Sequence, residues 1–523
     1  MKKFIIMLCT AVIFFSGCDD PDNTPAPKPK PELEQVSAPT TNRPNGYFVT
    51  PKMTGSSRTA TLLCSTEGAV IYYTTDDSVP TTGSSVYSGP IQLNQNMVLK
   101  AMAAKSGMRN SEILEMFFTV ISSAEQMEFA ASMKIGWNLG NTLDGHSGLI
   151  PSETQWQSVT TTQALMNAVK DKGFEAVRIP VTWGRKLHDD LRRNPSQINL
   201  TVDEIKNLKI DDAWLNRVAV IVGYAKTAGL KAIINIHHDG ADSNYWLSVR
   251  KNDLTGENKE KVDAIFTTIW SQVAEKFKNE GSYLVFEGFN ELHDGNWGYT
   301  GSSTHSGVVV TTSAQDLTNQ YARITELNQL FVKTVRAAGG ENANRFLLIH
   351  GLVTRPSIAV QHLVLPFDPT SNRLIVGIHY YDPYDFAGSA AWSTWGDKSL
   401  TGSNGWANES HVRSQFDDVK RKFIDNGIPI IIGEYGAVRQ SSANGKAHRL
   451  YYMEYVTKYA VDCGFIPIYW DNGSTPSGNG GREQFGLFSR TPPIQLANDA
   501  EGIINVMMKA AYENYSINDI QAP

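Results

Sequence analysis

Short runs of consecutive apolar residues recur from about residue 134 to residue 473, mostly separated by longer stretches of helical period. Eight of these runs predict strands: Lys134–Asn141, Ala176–Trp183, Lys231–Asp239, Leu284–Glu291, Arg345–Leu352, Leu374–Asp382, Ile428–Gly436 and Ile466–Gly473. Asp211–Ala228, Glu260–Lys278, Ala314–Ala338, His411–Asn426 and Ala447–Cys463 predict helices between them. Strands that are apolar throughout, rather than on alternate residues, belong to a parallel sheet covered on both faces. Strand and helix alternating in this way over residues 122–515 predict an α/β chain built as a (β/α)8 TIM barrel.

The region before the barrel, residues 42–121, has a different pattern. Ala69–Thr74 is β-branched and aromatic, Asp76–Pro80 is turn chemistry, and Val98–Ala103 is a second strand. This predicts a small all-β domain. The run Ile71-Tyr72-Tyr73-Thr74-Thr75-Asp76-Asp77-Ser78-Val79-Pro80-Thr81, with Val86-Tyr87, Pro90-Ile91 and Lys100-Ala101 after it, resembles the small β-sandwich at the C-terminus of chitobiases. That module usually carries Asp-Gly where this chain has Asp76-Asp77. Its expected role is that of a spacer, with carbohydrate binding as the alternative. Residues 516–523 are a short tail.

Residues 1–17 have the shape of a signal peptide: Lys2-Lys3, an apolar run from Phe4 to Phe15, then small residues. Ser16-Gly17-Cys18 resembles a bacterial lipobox, with Phe15 where leucine is usual, which implies lipidation of Cys18. The acidic start after Cys18 resembles export signals of Bacteroidetes lipoproteins and implies an outer-membrane lipoprotein on the cell surface. An ordinary cleaved signal would instead leave the chain periplasmic or secreted. Residues 18–41, rich in Pro, Asp and Lys, are expected to form a tether.

Composition narrows the function classes. Hydrophobic residues make up 41% and charged residues 19%, enough apolar material for a large core. The net charge of −6, with no basic clustering, argues against a nucleic-acid partner. The four cysteines, Cys9, Cys18, Cys64 and Cys463, make no disulfide framework. No phosphate loop or dinucleotide fingerprint is present, so no cofactor is expected. A monomer is expected.

The chemistry gathers at the C-terminal ends of the predicted strands, where barrels of this kind build their sites. The runs end in Arg178–Trp183, His237-His238-Asp239, Asn290-Glu291, His379-Tyr380-Tyr381, Glu434-Tyr435-Gly436 and Trp470-Asp471-Asn472. Leaving such groups buried without partners would cost several kcal/mol each, about 1–3 by mutational data. Six such endings on one rim predict a site. Glu291 and Glu434 lie on strands across the barrel from one another. Glycoside hydrolysis needs two such carboxylates, about 5–5.5 Å apart in a retaining enzyme.

Residues 134 to about 510 resemble glycoside hydrolase family 5, a family of cellulases and related endo-β-glycanases. The segment Gly136-Trp137-Asn138-Leu139-Gly140-Asn141-Thr142-Leu143-Asp144 is similar to its opening motif, and Arg178, His237-His238, Asn290-Glu291, His379, Tyr381, Glu434 and Trp470 follow in the family's order. With Glu153–Trp156, the opening looks most like the endoglucanase and xyloglucanase branch. The resemblance implies Glu291 as acid/base, Glu434 as nucleophile, Arg178 and Tyr381 as donors to Glu434, and Asn290 on the sugar 2-OH. It further implies His237, His238, His379 and Asn141 as supporting residues and Trp470 as a stacking platform. The implied substrate is a polysaccharide with a β-1,4-glucan backbone.

Other readings remain. An endo-β-1,4-mannanase or glucomannanase would use the same residues, and a non-catalytic surface glycan-binding protein would share the cleft. His237-His238-Asp239 invites a metal reading, but adjacent strand residues point to opposite faces, so no metal site is expected. Glu287 shares strand parity with Glu291 and is expected in a buried ion pair. Trp183, Trp246, Trp297, Trp392, Trp395 and Trp406 follow strands or lie in loops and are expected to line a long cleft, whereas Trp214 and Trp270 are expected in the core.

Overall fold

The computed structural model describes residues 33–240, 245–305, 308–399, 406–475 and 483–523. Residues 1–32, including Cys18 and the signal-like run, lie outside these. Among the described residues no helix is long and apolar enough to cross a membrane.

Eight parallel strands close into a barrel in chain order: β1 (Gly136–Asn138), β2 (Ala176–Ile179), β3 (Lys231–Asn235), β4 (Leu284–Glu287), β5 (Leu347–His350), β6 (Leu374–Tyr380), β7 (Ile430–Tyr435) and β8 (Ile466–Tyr469). Each lies within a predicted run but is shorter than it. The ladder between β3 and β4 stops at Asn235 and Glu287. His237, His238, Asn290 and Glu291 therefore sit on the loops beyond, where the backbone is released from the pleat.

Side-chain alternation builds the interior in layers. Ala176, Ile233, Val285, Leu348, Ile375, Ile431 and Ile466 belong to one buried apolar cluster at the N-terminal end of the strands, with Ala130 and Met133 from the helix Glu125–Ala131 and its C-terminal turn. Two residues further along, the same inward positions carry Arg178, Asn235, Glu287, His350, Gly377 and Gly433. The interior thus changes from oil to a polar floor within one residue pair. Gly377 makes room for that floor, because a Cβ there would fall 2.1 Å from the His350 ring.

Strand β7 carries one extra residue. Ile378 pairs with Ile432, but His379 pairs with Glu434, so Gly433 is bulged. A bulge re-aims the side chain beside it. Here it turns Glu434 toward the mouth of the barrel, while Asn138 Nδ2 donates to the Gly433 carbonyl at 2.8 Å.

The small domain is a five-stranded sheet in the order Tyr47–Val49, Leu114–Val120, Met97–Ala104, Val70–Thr74, Ser85–Val86, with two short strand pairs beside it. Asp77 adopts the left-handed conformation (φ 67°) that a glycine would take in this turn, and its carboxylate pairs with Lys100 at 2.7 Å. The domain docks at the N-terminal end of the barrel strands. Asn96 Nδ2 donates to the Asp368 carbonyl, and Asn372, just before β6, accepts from the Ser122 backbone.

Candidate active site

Arg178, fully buried on β2, organises the site. A guanidinium has five N–H donors, and all five are used. Nε and Nη2 donate to Glu287 at 2.7 Å each, Nη2 also to Asn290 Oδ1 at 2.8 Å, and Nη1 to Asn138 Oδ1 at 3.0 Å and Glu434 Oε1 at 2.7 Å. Glu287 also accepts from Asn235 Nδ2 at 3.2 Å and meets His350 Nε2 at 3.0 Å. Burial alone would push the Glu287 carboxyl up, but the Arg178 charge and hydrogen bonds, with His350, hold it well below the usual carboxylate range. The buried ion pair expected of Glu287 is present.

Above this floor stand Glu291 and Glu434. One carboxylate oxygen of each lies within 4.8 Å of the other, and a ring nitrogen of His379 is within the same distance of both. His379 Nδ1 is 2.6 Å from Glu291 Oε1. Tyr381 donates to Glu434 Oε2 at 3.2 Å. Burial pushes Glu291 up to about 7 against the pull of Arg178, His238, His350 and Thr354. Burial also raises Glu434, with the Glu291 charge, against His379 and Arg178. Burial lowers His379 to about 3, which keeps its imidazole neutral. The two carboxyls thus differ in their surroundings: Glu434 faces an arginine and a tyrosine hydroxyl, Glu291 a neutral imidazole.

His237 is buried and His238 half-buried, their rings 4.5 Å apart. Both face this side of the barrel, which the pleat argument excluded; that argument fails because β3 has already ended. His237 Nε2 lies 3.9 Å from Glu434 Oε1, and His238 Nε2 is 3.6 Å from Asp144 Oδ2. Asp144, His237 and His238 have the spacing of a metal site, yet the donor set does not fit. Asn235 Oδ1 accepts from the Val181 N–H, so its NH2 group faces His237 Nδ1 at 3.2 Å. The proton then sits on Nε2, which has no lone pair to offer an ion.

Trp470 is 9% exposed and lies parallel to the His237 ring, 5.8 Å away at 6°. Gly140 permits this, since a Cβ there would be 2.9 Å from the indole. Asn141 takes a left-handed backbone (φ 55°) and donates its N–H to Asp144 Oδ2; its side chain makes no hydrogen bond to either carboxylate.

Three expected cleft aromatics are instead buried. Trp183 donates to the Asn235 carbonyl, Trp246 to Asp239 Oδ1 and Trp395 to the Ala407 carbonyl. All three indoles belong to the main buried cluster of the barrel domain, onto which these loops pack. Trp392 is half-buried, while Trp297 and Trp406 are 40% and 51% exposed. Trp214 and Trp270 are buried, as expected. Sequence reasoning missed Asn138, Asn235, His350 and Thr354. Asn138 sits two residues from a barrel glycine in the opening motif, and strand parity with Gly136 was a signal that could have found it.

A Cellulase (glycosyl hydrolase family 5) model matches residues 140–476. The chain belongs to glycosyl hydrolase family 5. A Chitobiase/beta-hexosaminidase C-terminal domain model matches residues 51–115. Among curated relatives, Endoglucanase A of Paenibacillus barcinonensis is 32% identical over 73% of this chain and 89% of its own length. A xyloglucan-specific endo-beta-1,4-glucanase of Bacteroides ovatus is 33% identical over 67% of this chain and 65% of its own. The solved structure of a broad-specificity endoglucanase from Bacteroides salanitronis matches with a TM-score of 0.64 at 40% identity, covering 75% of this chain and 97% of that one. Membership of family 5 makes this chain a glycoside hydrolase, and the barrel with its carboxylate pair is the family 5 part of it.

Proposed function

We propose that the chain is a cell-surface, retaining endo-β-1,4-glucanase acting on a soluble glucan-backbone polysaccharide such as xyloglucan or mixed-linkage glucan. The observation that carries the proposal is the Glu291–Glu434 pair, with oxygens within 4.8 Å and the proton held on Glu291 up to about pH 7. Glu291 donates its proton to the glycosidic oxygen as the C1–O bond breaks, and Glu434 forms a new C1–O bond to the departing sugar's partner. Glu291, now ionised, takes a proton from the water that cleaves this glycosyl ester and returns Glu434 as carboxylate. Asn290 has its Oδ1 anchored by Arg178, so its NH2 is the end that meets the sugar 2-OH. Trp470 stacks beneath the sugar at the point of cleavage.

The relatives described above are endoglucanases and a xyloglucanase, which supports a glucan rather than a mannan backbone. Exposed Trp297, Tyr299, Tyr384 and Trp406, on loops after β4 and β6, support an open groove for a polymer. The anchoring half of the proposal rests on Cys18 and the apolar run before it. The test is reducing-end release and product chain length on carboxymethylcellulose, mixed-linkage glucan, xyloglucan and glucomannan, with Glu434→Gln as control. Oligosaccharides with rapid viscosity loss are expected on the glucans; release of monosaccharide alone, or none, overturns the reading. Fatty-acid labelling lost in Cys18→Ser tests the anchor.

A further inference from the structure

We propose that Glu287 is a positioning residue that withholds the Arg178 charge from Glu434, so that the nucleophile keeps its basicity. The inference rests on reading Glu434 as the nucleophile. The geometry is unequal. Glu287 takes two of the five Arg178 donors in a fork, both at 2.7 Å, and Glu434 takes one. Both members of the Arg178–Glu287 pair are fully buried. Glu434 therefore faces a nearly neutral ion pair rather than a bare cation. A carboxylate beside an unscreened arginine has its proton affinity depressed by about 1–3 pH units, and a weaker base attacks more slowly. The Arg178 N–H still orients Glu434, but its charge is spent on Glu287. Burial, with the Glu291 charge, then raises the Glu434 carboxyl although a guanidinium touches it.

Apart from Glu291, the other groups facing Glu434 carry no charge that offsets Arg178. His237 lies 3.9 Å away and burial keeps it neutral. His379, 3.7 Å away, is neutral above about pH 3. Tyr381 stays protonated. Glu291 adds negative charge only as it ionises at about 7, which governs the other side of the pH range. On the β1 side Asn138 carries no charge.

The experiment is the pH profile of kcat/KM on an aryl β-cellobioside for wild type, Glu287→Gln, Glu287→Asp and His350→Gln. Glu287→Gln removes the compensating charge and keeps the shape. Its acid limb is expected to move about one unit lower, with kcat reduced about tenfold. Glu287→Asp keeps the charge but cannot reach the fork, so a smaller shift in the same direction is expected. His350→Gln takes a partner from Glu287 without changing its charge, and should lower the melting temperature without moving the limb. A folded Glu287→Gln with an unmoved acid limb overturns the proposal. If that variant does not fold, an unmoved limb in Glu287→Asp does so. Peptide mapping of wild type inactivated by a 2-deoxy-2-fluoro aryl cellobioside checks the underlying reading separately: an adduct away from Glu434 refutes the nucleophile assignment whatever the limbs do.

Discussion

The His379 imidazole stands between the two carboxyls, its Nδ1 2.6 Å from Glu291 Oε1 and 3.7 Å from Glu434 Oε2. Because the ring is neutral, its Nδ1 accepts a hydrogen bond from the protonated Glu291 carboxyl in one tautomer and donates one to the Glu291 carboxylate in the other, and neither tautomer adds a charge. The pair can therefore pass through both protonation states of Glu291 with its geometry intact.

The pH dependence follows from this pair. On the proposed mechanism, activity needs Glu291 protonated and Glu434 ionised. As pH rises through about 7, Glu291 loses its proton and kcat/KM falls. As pH falls through the Glu434 value, which is raised by burial, the nucleophile is protonated and kcat/KM falls again. A bell with its upper limb near 7 is expected on an aryl glycoside, and Glu291→Gln should flatten the upper limb. An upper limb retained in that variant would assign it to another group.

Loss of the acid should depend on the leaving group. Glu291→Gln is expected to lose about 10²–10⁴-fold in kcat on polysaccharide and far less on dinitrophenyl glycosides, which leave without a proton. Equal losses on both substrates count against Glu291 as the acid.

Removal of the nucleophile should be rescuable. Glu434→Ala is expected to fall by at least about 10⁴-fold and to regain part of its activity with azide, giving a glycosyl azide of inverted configuration. NMR of the product distinguishes this from simple hydrolysis.

The bulge can be tested with a single methyl group. A Cβ on Gly433 would lie 3.0 Å from His379 Nε2 and 3.7 Å from Arg178 Nε. Gly433→Ala should displace the His379–Glu291 contact and lower kcat by about 10²-fold, with a smaller effect on KM. Unchanged kcat would mean that the bulge matters less than its position suggests.

The acid should also be a stability liability at neutral pH. Its folded pKa of about 7 lies above that of an unfolded Glu, so the folded state resists ionisation. The cost begins as pH rises past the unfolded value and is complete above about 7. Because the Glu291 side chain is 23% exposed, the expected cost is about 1–3 kcal/mol rather than the full shift. Glu291→Gln should therefore melt at higher temperature than wild type at pH 8 and at the same temperature near pH 4. No difference at pH 8 would contradict the burial argument.

The barrel and its carboxylates were legible in the sequence because strand runs are apolar and their polar endings interrupt them abruptly. Glu291, Glu434, Arg178 and Tyr381 occupy such endings and meet as expected. The polar floor was harder to see. His350 and Asn235 lie within apolar runs, where one polar residue signals nothing until parity and neighbouring strands place it against Glu287. The tryptophans misled for a related reason: position after a strand says that a residue is in a loop, but Trp183 and Trp246 show that a loop residue can still be packed into the main core. The turn of His237 and His238 to one side required knowing that β3 ends at Asn235, and pairing between strands decides that.

The small domain and the carboxylate pair lie at opposite ends of the barrel. Asn96 and Ser122 hold the domain against the loops that precede β6, whereas Glu291 and Glu434 open at the far rim. The molecule can thus be immobilised by its small domain on a bead or a cell wall and still present an unobstructed mouth. By the same separation, exchange of the small domain for another module is expected to leave the carboxylate pair unchanged.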